Sequence, residues 1–352
     1  MAAIAPVAQD DQYARLLSKV RRELGPVILA ALVDGRTEDI VVNPDLRLWV
    51  KRRGEDFEQV GLMEREKVEA VIGTVAAMSH AVINRDNPIL ESELALDGSR
   101  FEGIVPPVTR QAVFAIRVRS SRVFTLDDYE RAGILTHKDD PLNHSRSAGQ
   151  DRFAAAMHGQ SHTRIIQHAI RLRKNILVVG ATGSGKTTLL NAMLDAIAEL
   201  TPGDRVIAIE DTPELQCPVV NYLDLRATDK VSMLDCLRAS MRLKPTRIIV
   251  GEVRGAEAHT LLKAWNTGHP GGLGTIHANS AEFGLTRLES LIAEATSAPQ
   301  QRLIADTVDL VVFVDPESSL ASGRKVRDLF WSPDGRMGGM RCNMFNKKEL
   351  SL

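Results

Sequence analysis

Residues Asn175 to Leu190 read NILVVGATGSGKTTLL. Within them, Gly180 to Thr187 match the phosphate-loop pattern G-x-x-x-x-G-K-[ST] at every fixed position. The apolar run Ile176 to Val179 predicts a buried strand, and apolar residues at helical spacing from Leu189 to Ile197 predict the helix that follows. Because strand, glycine loop and helix come in the order that the motif requires, this stretch predicts a mononucleotide-binding site.

The residue types in this loop suit the binding of phosphate. Gly183 and Gly185 allow successive backbone N–H groups to turn inward, and the start of the helix adds partial positive charge. Lys186 is expected to reach the β- and γ-phosphates, and the Thr187 hydroxyl is expected to bind Mg²⁺. A glycine-rich turn with an incidental lysine is the alternative, which the flanking strand and helix disfavour. The predicted nucleotide-binding residues of the loop are Gly180, Ala181, Thr182, Gly183, Ser184, Gly185, Lys186, Thr187 and Thr188.

Composition limits the classes of protein that fit. With 352 residues the chain is long enough for two domains, and its 44% hydrophobic and 25% charged residues are ordinary for a globular protein. The formal net charge is −1, so the whole-molecule field favours neither nucleic acid nor an anionic membrane. Any such binding would have to be local.

Targeting and cysteine patterns point to a protein that stays in the cytoplasm. Residues 1–13 lack a basic region followed by an apolar run, and no run of about 18 apolar residues occurs, so neither a secretory signal nor a membrane-spanning helix is predicted. Cys217, Cys236 and Cys342 show no metal-ligand spacing, so neither a zinc site nor a disulfide framework is expected.

The remainder of the pattern divides the chain into two domains. Residues 1–120 combine helical periodicity with alternating strands, and turn signals at Asn43-Pro44-Asp45 and Asp97-Gly98 predict two hairpins, so an α+β domain is expected. Residues 121–150 are polar and irregular and are predicted to be a linker. From residue 151 to residue 352 strands and helices alternate, which predicts an α/β domain with a mostly parallel sheet and ligands beyond the carboxyl ends of its strands.

Three further clusters follow predicted strands of this second domain. Glu210 ends the first, AIEDTPEL, and is a candidate for orienting water or metal, although such a carboxylate is commonly a helix cap. Glu252 ends the second, RIIVGEVRG, where an acid suits the Mg²⁺ shell and the attacking water of a nucleotide hydrolase. Arg254 in the same cluster is expected either to touch phosphate or to pair with Glu210 or Glu257. The third, GGLGTIHANS, carries His277, a candidate sensor of the γ-phosphate or else a structural histidine.

The order of these four blocks resembles the secretion ATPase superfamily of RecA-like hexameric motors, in which they are called Walker A, Asp box, Walker B and His box. Within it the chain most resembles the conjugal transfer ATPases of the type IV secretion branch, over nearly its whole length. The patterns DGRTEDIVVNPDLRLWV, SRFEGIVPPV and FAIRVR of the first domain are similar to that branch too. The resemblance implies ATP and Mg²⁺ as ligands, and a RecA-like P-loop NTPase domain at residues 151–352 behind a smaller α+β domain. It implies Glu252, Lys186, Glu210, His277 and Arg254 as catalytic residues, with Glu252 and Glu210 near the metal.

The same resemblance implies roles for arginines outside the loop. Arg100 and Arg117 match amino-terminal arginines that contact phosphate when the cleft between the domains closes, a role that suits the bidentate guanidinium. Arg226, Arg238 and Arg242 lie in the region from which the family brings arginines to the γ-phosphate or to a neighbouring subunit. Thr246 stands where the family often has Asp, and a four-cysteine insertion is absent, which argues against the type II secretion and pilus-assembly branch.

The sequence therefore predicts an ATP-hydrolysing hexameric motor that energises type IV secretion, conjugative DNA transfer and pilus assembly. Expected partners are further copies of the chain in a ring and inner-membrane components of the apparatus, with peripheral contact to the cytoplasmic face of the membrane left open. A helicase or packaging motor is the alternative, which the near-neutral charge and 4% aromatic content disfavour, so no sequence-specific nucleic-acid binding is expected. A nucleotide-binding switch is the third class, and Glu252 favours hydrolysis over binding alone.

Overall fold

The computed structural model describes residues 7–119, 125–131, 153, 156–317, 319–320, 324–331 and 343–344. The chain forms two compact units, the first made of residues 1–123 and 223–245 and the second of residues 124–222 and 246–352. The predicted domain bounds stay a prediction, and the compact units differ from them in placing 223–245 with the amino-terminal unit. Of the predicted linker 121–150, only residues 125–131 are described, of which 126–131 form a short helix, and the rest lies outside the described residues.

The secondary-structure elements follow one another along the chain, and we number them in that order. They are α1 (Val7–Val33), β1 (Thr37–Val42), β2 (Arg47–Arg52), β3 (Phe57–Leu62), α2 (Arg65–Met78), β4 (Ile89–Leu94), β5 (Ser99–Ile104), β6 (Val113–Arg117), α3 (Leu126–Arg131), α4 (His162–Arg171), β7 (Ile176–Gly180), α5 (Lys186–Leu200), β8 (Val206–Glu210), β9 (Tyr222–Arg226), α6 (Met233–Arg242), β10 (Arg247–Val250), α7 (Glu257–Asn266), β11 (Leu273–His277), α8 (Ala281–Ala293), α9 (Gln301–Thr307), β12 (Leu310–Pro316), β13 (Arg324–Trp331) and β14 (Asn343–Met344). No helix among the described residues is long and apolar enough to cross a membrane.

The first unit is built on an antiparallel sheet with the order β3-β2-β1-β6-β5-β4. The predicted hairpins are observed as β1 with β2 and β4 with β5. Helix α1 is interrupted at Gly25, whose φ of 73° is non-helical, as the Gly25-Pro26 pair would require. Buried apolar residues of α1, α2 and one face of the sheet form a continuous core, in which each fully buried large side chain contributes about 2 kcal/mol to folding.

The second unit contains the predicted mostly parallel sheet. Its strands follow the order β14-β13-β12-β7-β11-β10-β8, in which β12, β7, β11, β10 and β8 run parallel and β13 and β14 are antiparallel additions. The central strands β7, β8 and β10 are buried along their whole length, which explains why they read as unbroken apolar runs. The chain crosses from the second unit to the first within β9.

Strand register brings the predicted functional blocks to one edge of this sheet. Gly180 at the end of β7 pairs with His277 at the end of β11, and Val250 at the end of β10 pairs with Ile209 of β8. Because all four strands are parallel, their carboxyl ends meet at the same edge. We call this the carboxyl edge of the sheet.

Candidate active site

The phosphate loop at the carboxyl edge adopts a backbone that only glycine accommodates at certain positions. Gly183 has φ 74° and Gly185, which precedes the first residue of α5, has φ 95°, both in the left-handed region. A Cβ atom on Gly180 would lie 2.4 Å from the carbonyl oxygen of Val314 and from Ser184 Oγ, so the loop must leave β7 through a glycine. The loop thus curls tightly onto the amino-terminal end of α5, where free backbone N–H groups point outward.

Lys186 is the first residue of α5, and its side chain is folded back over the loop. Its ammonium nitrogen donates to the Ala181 carbonyl at 2.9 Å and lies 3.1 Å from His277 Nδ1. Only 6% of the residue is exposed, and burial lowers the pKa of this ammonium group, against the opposing attraction of Glu252 and Glu214. No carboxylate of a described residue is in direct contact with this ammonium group, and a buried cation in that situation suits the binding of an anion.

Glu252 lies two residues beyond β10, within an ion-pair chain that reaches Lys186. Its Oε1 is 3.0 Å from His277 Nε2, and its Oε2 accepts a hydrogen bond of 2.8 Å from Arg254 Nη2. Burial acts to raise the pKa of Glu252, but the Arg254 hydrogen bond and the charges of His277, Arg254 and Lys186 together lower it below its ordinary value. The carboxylate is therefore ionised at neutral pH and able to orient a water molecule.

Arg254 pairs with neither of the partners that the sequence suggested. Its guanidinium contacts Glu252 and Asp211, whereas Glu257 Oε1 accepts the backbone N–H groups of Arg254 and Gly255 at 2.7 and 2.9 Å. Sequence reasoning overlooked Asp211, although it directly follows Glu210 at the end of β8. That position beyond a buried strand is the signal that could have identified it.

Glu210 is directed toward its own turn. Its Oε1 accepts the backbone N–H groups of Glu214 and Leu215, both at 3.0 Å, and the residue is 7% exposed. Glu210 Oε1 therefore caps backbone N–H groups, as in the structural alternative that the sequence analysis gave for this residue. The role of Glu210 in catalysis and near the metal stays a prediction.

The three threonines of the loop have different surroundings. Thr182 Oγ1 lies 3.4 Å from His277 Nδ1, which extends the chain of polar contacts along the loop. Thr187 is half-buried in the first turn of α5, directly after Lys186. Thr188 Oγ1 accepts a hydrogen bond of 2.9 Å from Arg324 of β13, a residue 136 positions away that no sequence pattern singled out.

The remaining predicted arginines belong to the first unit. Arg100 and Arg117 lie directly opposite each other on β5 and β6, and Arg117 Nε is 3.3 Å from Asp39 Oδ1. Arg226 ends β9, and its backbone N–H donates to the carbonyl of Val108. Arg242 is 2.7 Å from Glu91, and Arg238 is 3.8 Å from Asp235, so both are held in ion pairs within that unit. Their roles toward nucleotide stay predictions.

Comparison with known proteins gives consistent matches over most of the chain. The family model described as type II/IV secretion system protein matches residues 28–322. The probable conjugal transfer protein TrbB of Sinorhizobium fredii is 41% identical over 317 residues, which cover 90% of each chain. The type IV secretion system protein PtlH of Bordetella pertussis is 30% identical, over 84% of this chain and 90% of its own.

A solved structure agrees in fold as well as sequence. The VirB11 ATPase from the Brucella suis type IV secretion system, in complex with sulfate, superposes with a TM-score of 0.84 at 27% identity, covering 92% of this chain and 98% of its own. The predicted fold class, a P-loop α/β domain with a smaller α+β domain, is confirmed by this agreement. So is the resemblance to the type IV secretion branch that the four sequence blocks indicated.

Proposed function

Since the chain belongs to the type II/IV secretion system protein family, we propose that it is an ATP-hydrolysing hexameric motor that energises type IV secretion and conjugative transfer. The conjugal transfer and type IV secretion relatives support the process, and the likeness to the VirB11 ATPase supports the reaction. The observation on which the proposal depends is the chain of contacts Lys186–His277–Glu252. It joins a phosphate loop to an ionised acid that follows β10, and the connecting His277 ends β11, which lies between β7 and β10.

The loop residues fit the triphosphate of ATP. Backbone N–H groups from Gly183 to Lys186 and the start of α5 bind phosphate oxygens, and the Lys186 ammonium group pairs with the β- and γ-phosphates. To do so, the ammonium group exchanges its contacts with the Ala181 carbonyl and His277 Nδ1 for phosphate oxygens. Because burial already disfavours its charge, Lys186 gains from an anionic partner.

The oxygen donors beside the loop fit Mg²⁺. The Thr187 hydroxyl is the ligand that follows directly from the motif, and the ionised Glu252 carboxylate is suited to hold a water of the metal shell. When bound, Mg²⁺ would neutralise charge on the β- and γ-phosphates during transfer. We propose a water-mediated role near the metal for Glu210 as well, because it ends β8 at the same carboxyl edge.

Hydrolysis at this site is mainly a matter of positioning. Glu252 accepts a hydrogen bond from a water molecule, whose oxygen bonds to the γ-phosphorus while the bond to the β,γ-bridging oxygen breaks. ADP leaves with the electron pair of that bond, and the water proton passes by way of Glu252 to the released phosphate. Arg254 and His277 fix the Glu252 carboxylate through its two oxygens. Because Lys186 leaves His277 Nδ1 when it binds phosphate, loss of the γ-phosphate lets this contact re-form and alters the histidine that holds the acid.

Arg100 and Arg117 support a phosphate contact from the first unit. Two like charges directly opposite each other on neighbouring strands repel, which destabilises the sheet unless an anion lies between them. Asp39 neutralises Arg117 in part, whereas Arg100 makes no ion pair with any described residue. We therefore propose that both guanidinium groups bind phosphate when the units close on nucleotide, and that closure and reopening convert hydrolysis into motion.

The partners of this motor follow from the family. We propose that six copies form a ring and that the ring works at the cytoplasmic face of the inner membrane with components of a type IV secretion apparatus. The similarity to a conjugal transfer protein and to a type IV secretion system protein supports this assignment, and the near-neutral net charge supports protein partners over DNA.

The proposal is tested by ATP turnover measured at increasing protein concentration, with the size of the assembly followed in the same samples by light scattering. Turnover per chain should rise as rings form and should be insensitive to added DNA. Arg100→Ala and Arg117→Ala should each lower turnover about tenfold or more, as loss of a charged phosphate contact implies. Arg36→Ala, which removes an exposed arginine of the same unit, is the control. Full turnover by a demonstrated monomer would contradict the ring, and DNA-stimulated turnover would favour a nucleic-acid motor.

A further inference from the structure

Arg324 occupies a position at the carboxyl edge that its place in the sequence does not reveal. It is the first residue of β13 and pairs with Pro316 of β12. Strand β12 runs parallel to β7, with Phe313 opposite Val179, so Pro316 and Arg324 lie beyond the end of β7 where the phosphate loop begins. The antiparallel addition to the sheet thus delivers a guanidinium group to the loop.

The side chain of Arg324 lies against the second half of the loop. Its Nη1 donates to Thr188 Oγ1 at 2.9 Å. A Cβ atom placed on Gly185 would be 2.5 Å from Arg324 Cδ and 2.8 Å from both Nε and Nη1. Gly185 is therefore required both by its left-handed backbone and by the close approach of Arg324.

The two cationic side chains that contact the loop, those of Lys186 and Arg324, lie at different positions along it. Lys186 Nζ is directed to Ala181 and His277, toward Glu252 and hence toward the end where the water attacks. Arg324 contacts Gly185 and Thr188, at the end where the loop enters α5. A nucleotide bound with its γ-phosphate near Glu252 places its inner phosphates toward the Arg324 end.

On the basis of the proposed function, we propose that Arg324 is a second cationic phosphate-binding residue of this site and contacts the α-phosphate, which ATP and ADP share. A guanidinium offers several N–H donors in a plane, so it can keep the Thr188 contact while binding a phosphate oxygen. Because the bonds of the α-phosphate do not change during γ-phosphoryl transfer and little charge develops on it, the contact strengthens binding of substrate and transition state equally.

This assignment predicts a separation of KM from kcat. Arg324→Ala should weaken ADP affinity by about tenfold or more and raise the KM for ATP by a similar factor, with kcat within about twofold of wild type. Arg324→Lys should recover part of the ADP affinity because it retains the charge. Lys325→Ala, which removes an exposed cation from the next residue of the same strand, is the matched control and should bind ADP normally.

The experiment is ADP titration by calorimetry at fixed salt, with adenosine in a parallel competition assay and circular dichroism to confirm folding. Unchanged ADP affinity in Arg324→Ala, alongside loss of binding in Lys186→Ala, would overturn the role of Arg324 and leave the proposed function intact. An equal loss for adenosine and ADP would place Arg324 on the base and overturn the phosphate contact. Failure of the wild-type protein to bind ADP would overturn the proposed function and this inference together.

Discussion

The two edges of the parallel sheet use charged residues in opposite ways. At the amino edge, Arg247 begins β10 and pairs with Asp204 at 2.6 Å, and both side chains are fully buried. At the carboxyl edge, Arg254 and Glu252 pair at 2.8 Å with 61% and 19% of their side chains exposed. An arginine–carboxylate pair is thus buried at the amino edge and open to solvent at the carboxyl edge.

The two edges also differ in how many of the hydrogen-bond donors of a buried cation have partners. The guanidinium of Arg247 also donates to the carbonyls of Gly271 and Ile170, at 3.0 and 2.8 Å, so its donors are spent on fixed structural partners. Among the residues that the structure describes, Lys186 at the other edge contacts one carbonyl and one histidine nitrogen and no carboxylate. A fully satisfied buried charge fixes the fold, whereas a half-satisfied one at a loop of backbone donors is available for a ligand.

The largest effect is expected from removing the cation at the carboxyl edge. Lys186→Ala should lower ATP turnover by about a thousandfold or more, since the β- and γ-phosphates lose their charged partner. It should not destabilise the nucleotide-free protein, because burial already disfavours this charge. ATP turnover and urea denaturation of the same preparation check both parts. A large loss of stability with retained turnover would contradict the claim that the cation at the carboxyl edge serves ligand binding and not folding.

Removing the cation at the amino edge should have the reverse outcome. Arg247→Met leaves Asp204 buried with Arg173 as its remaining cationic partner, and should reduce the free energy of unfolding by about 3 to 5 kcal/mol. The matched change Arg254→Met removes a partly exposed arginine and should cost less than about 1 kcal/mol. Urea denaturation of both variants makes the comparison. Equal costs would show that burial does not separate the two pairs.

The first unit contains a buried carboxyl group that, unlike Asp204, has no cation in contact among the described residues. Glu102 of β5 is 2% exposed, and neither carboxyl oxygen has a hydrogen-bond partner among the described residues. Burial, helped by the charge of Glu91 and opposed by Arg242, raises the pKa of Glu102 to about 8. The folded protein therefore holds a proton that the unfolded chain releases near its ordinary pKa of 4.5, so stability falls as pH rises from about 4.5 to about 8.

Glu102→Gln should remove this pH dependence. Between about pH 5 and pH 8.5 the wild-type protein should lose about 2 to 5 kcal/mol more stability than the variant, since the amide cannot ionise. Urea denaturation at several pH values measures the difference, and Glu93→Gln on the neighbouring strand is the control because that residue is exposed. Parallel profiles for wild type and Glu102→Gln would contradict the interpretation of this carboxyl as buried and neutral.

Sequence reasoning located neighbouring residues where a local pattern marks the end of a buried strand. The loop glycines, Lys186, Glu252 and His277 each follow a buried apolar strand, and the parallel register then brings those strand ends together. Strand β3 was missed because its residues Phe57 to Leu62 are mostly half-buried or exposed and lack an apolar face. Strands β9 and β13 were missed as well, since charged residues interrupt both and neither reads as an apolar run.

The residues that escaped prediction depend on long-range geometry. Arg324 reaches the loop only because β13 pairs antiparallel with β12, and nothing in its neighbourhood along the chain indicates phosphate. The choice of Asp211 over Glu210 or Glu257 as the second partner of Arg254 depends on side-chain direction, which spacing alone does not determine. In the same way, no pattern separates the buried Arg247 from the exposed Arg254, since both flank the same strand.

The proposed hydrolysis mechanism depends most on Glu252, which orients water toward the γ-phosphate. The decisive measurement is single-turnover ATP hydrolysis together with ATP retention in Glu252→Gln, compared with Asp211→Asn, which removes the other carboxylate partner of Arg254. Glu252→Gln should bind ATP and hydrolyse it about a hundredfold or more slowly, while Asp211→Asn stays near wild type. Equal rates in the two variants would reduce Glu252 to a structural partner of Arg254 and contradict the mechanism.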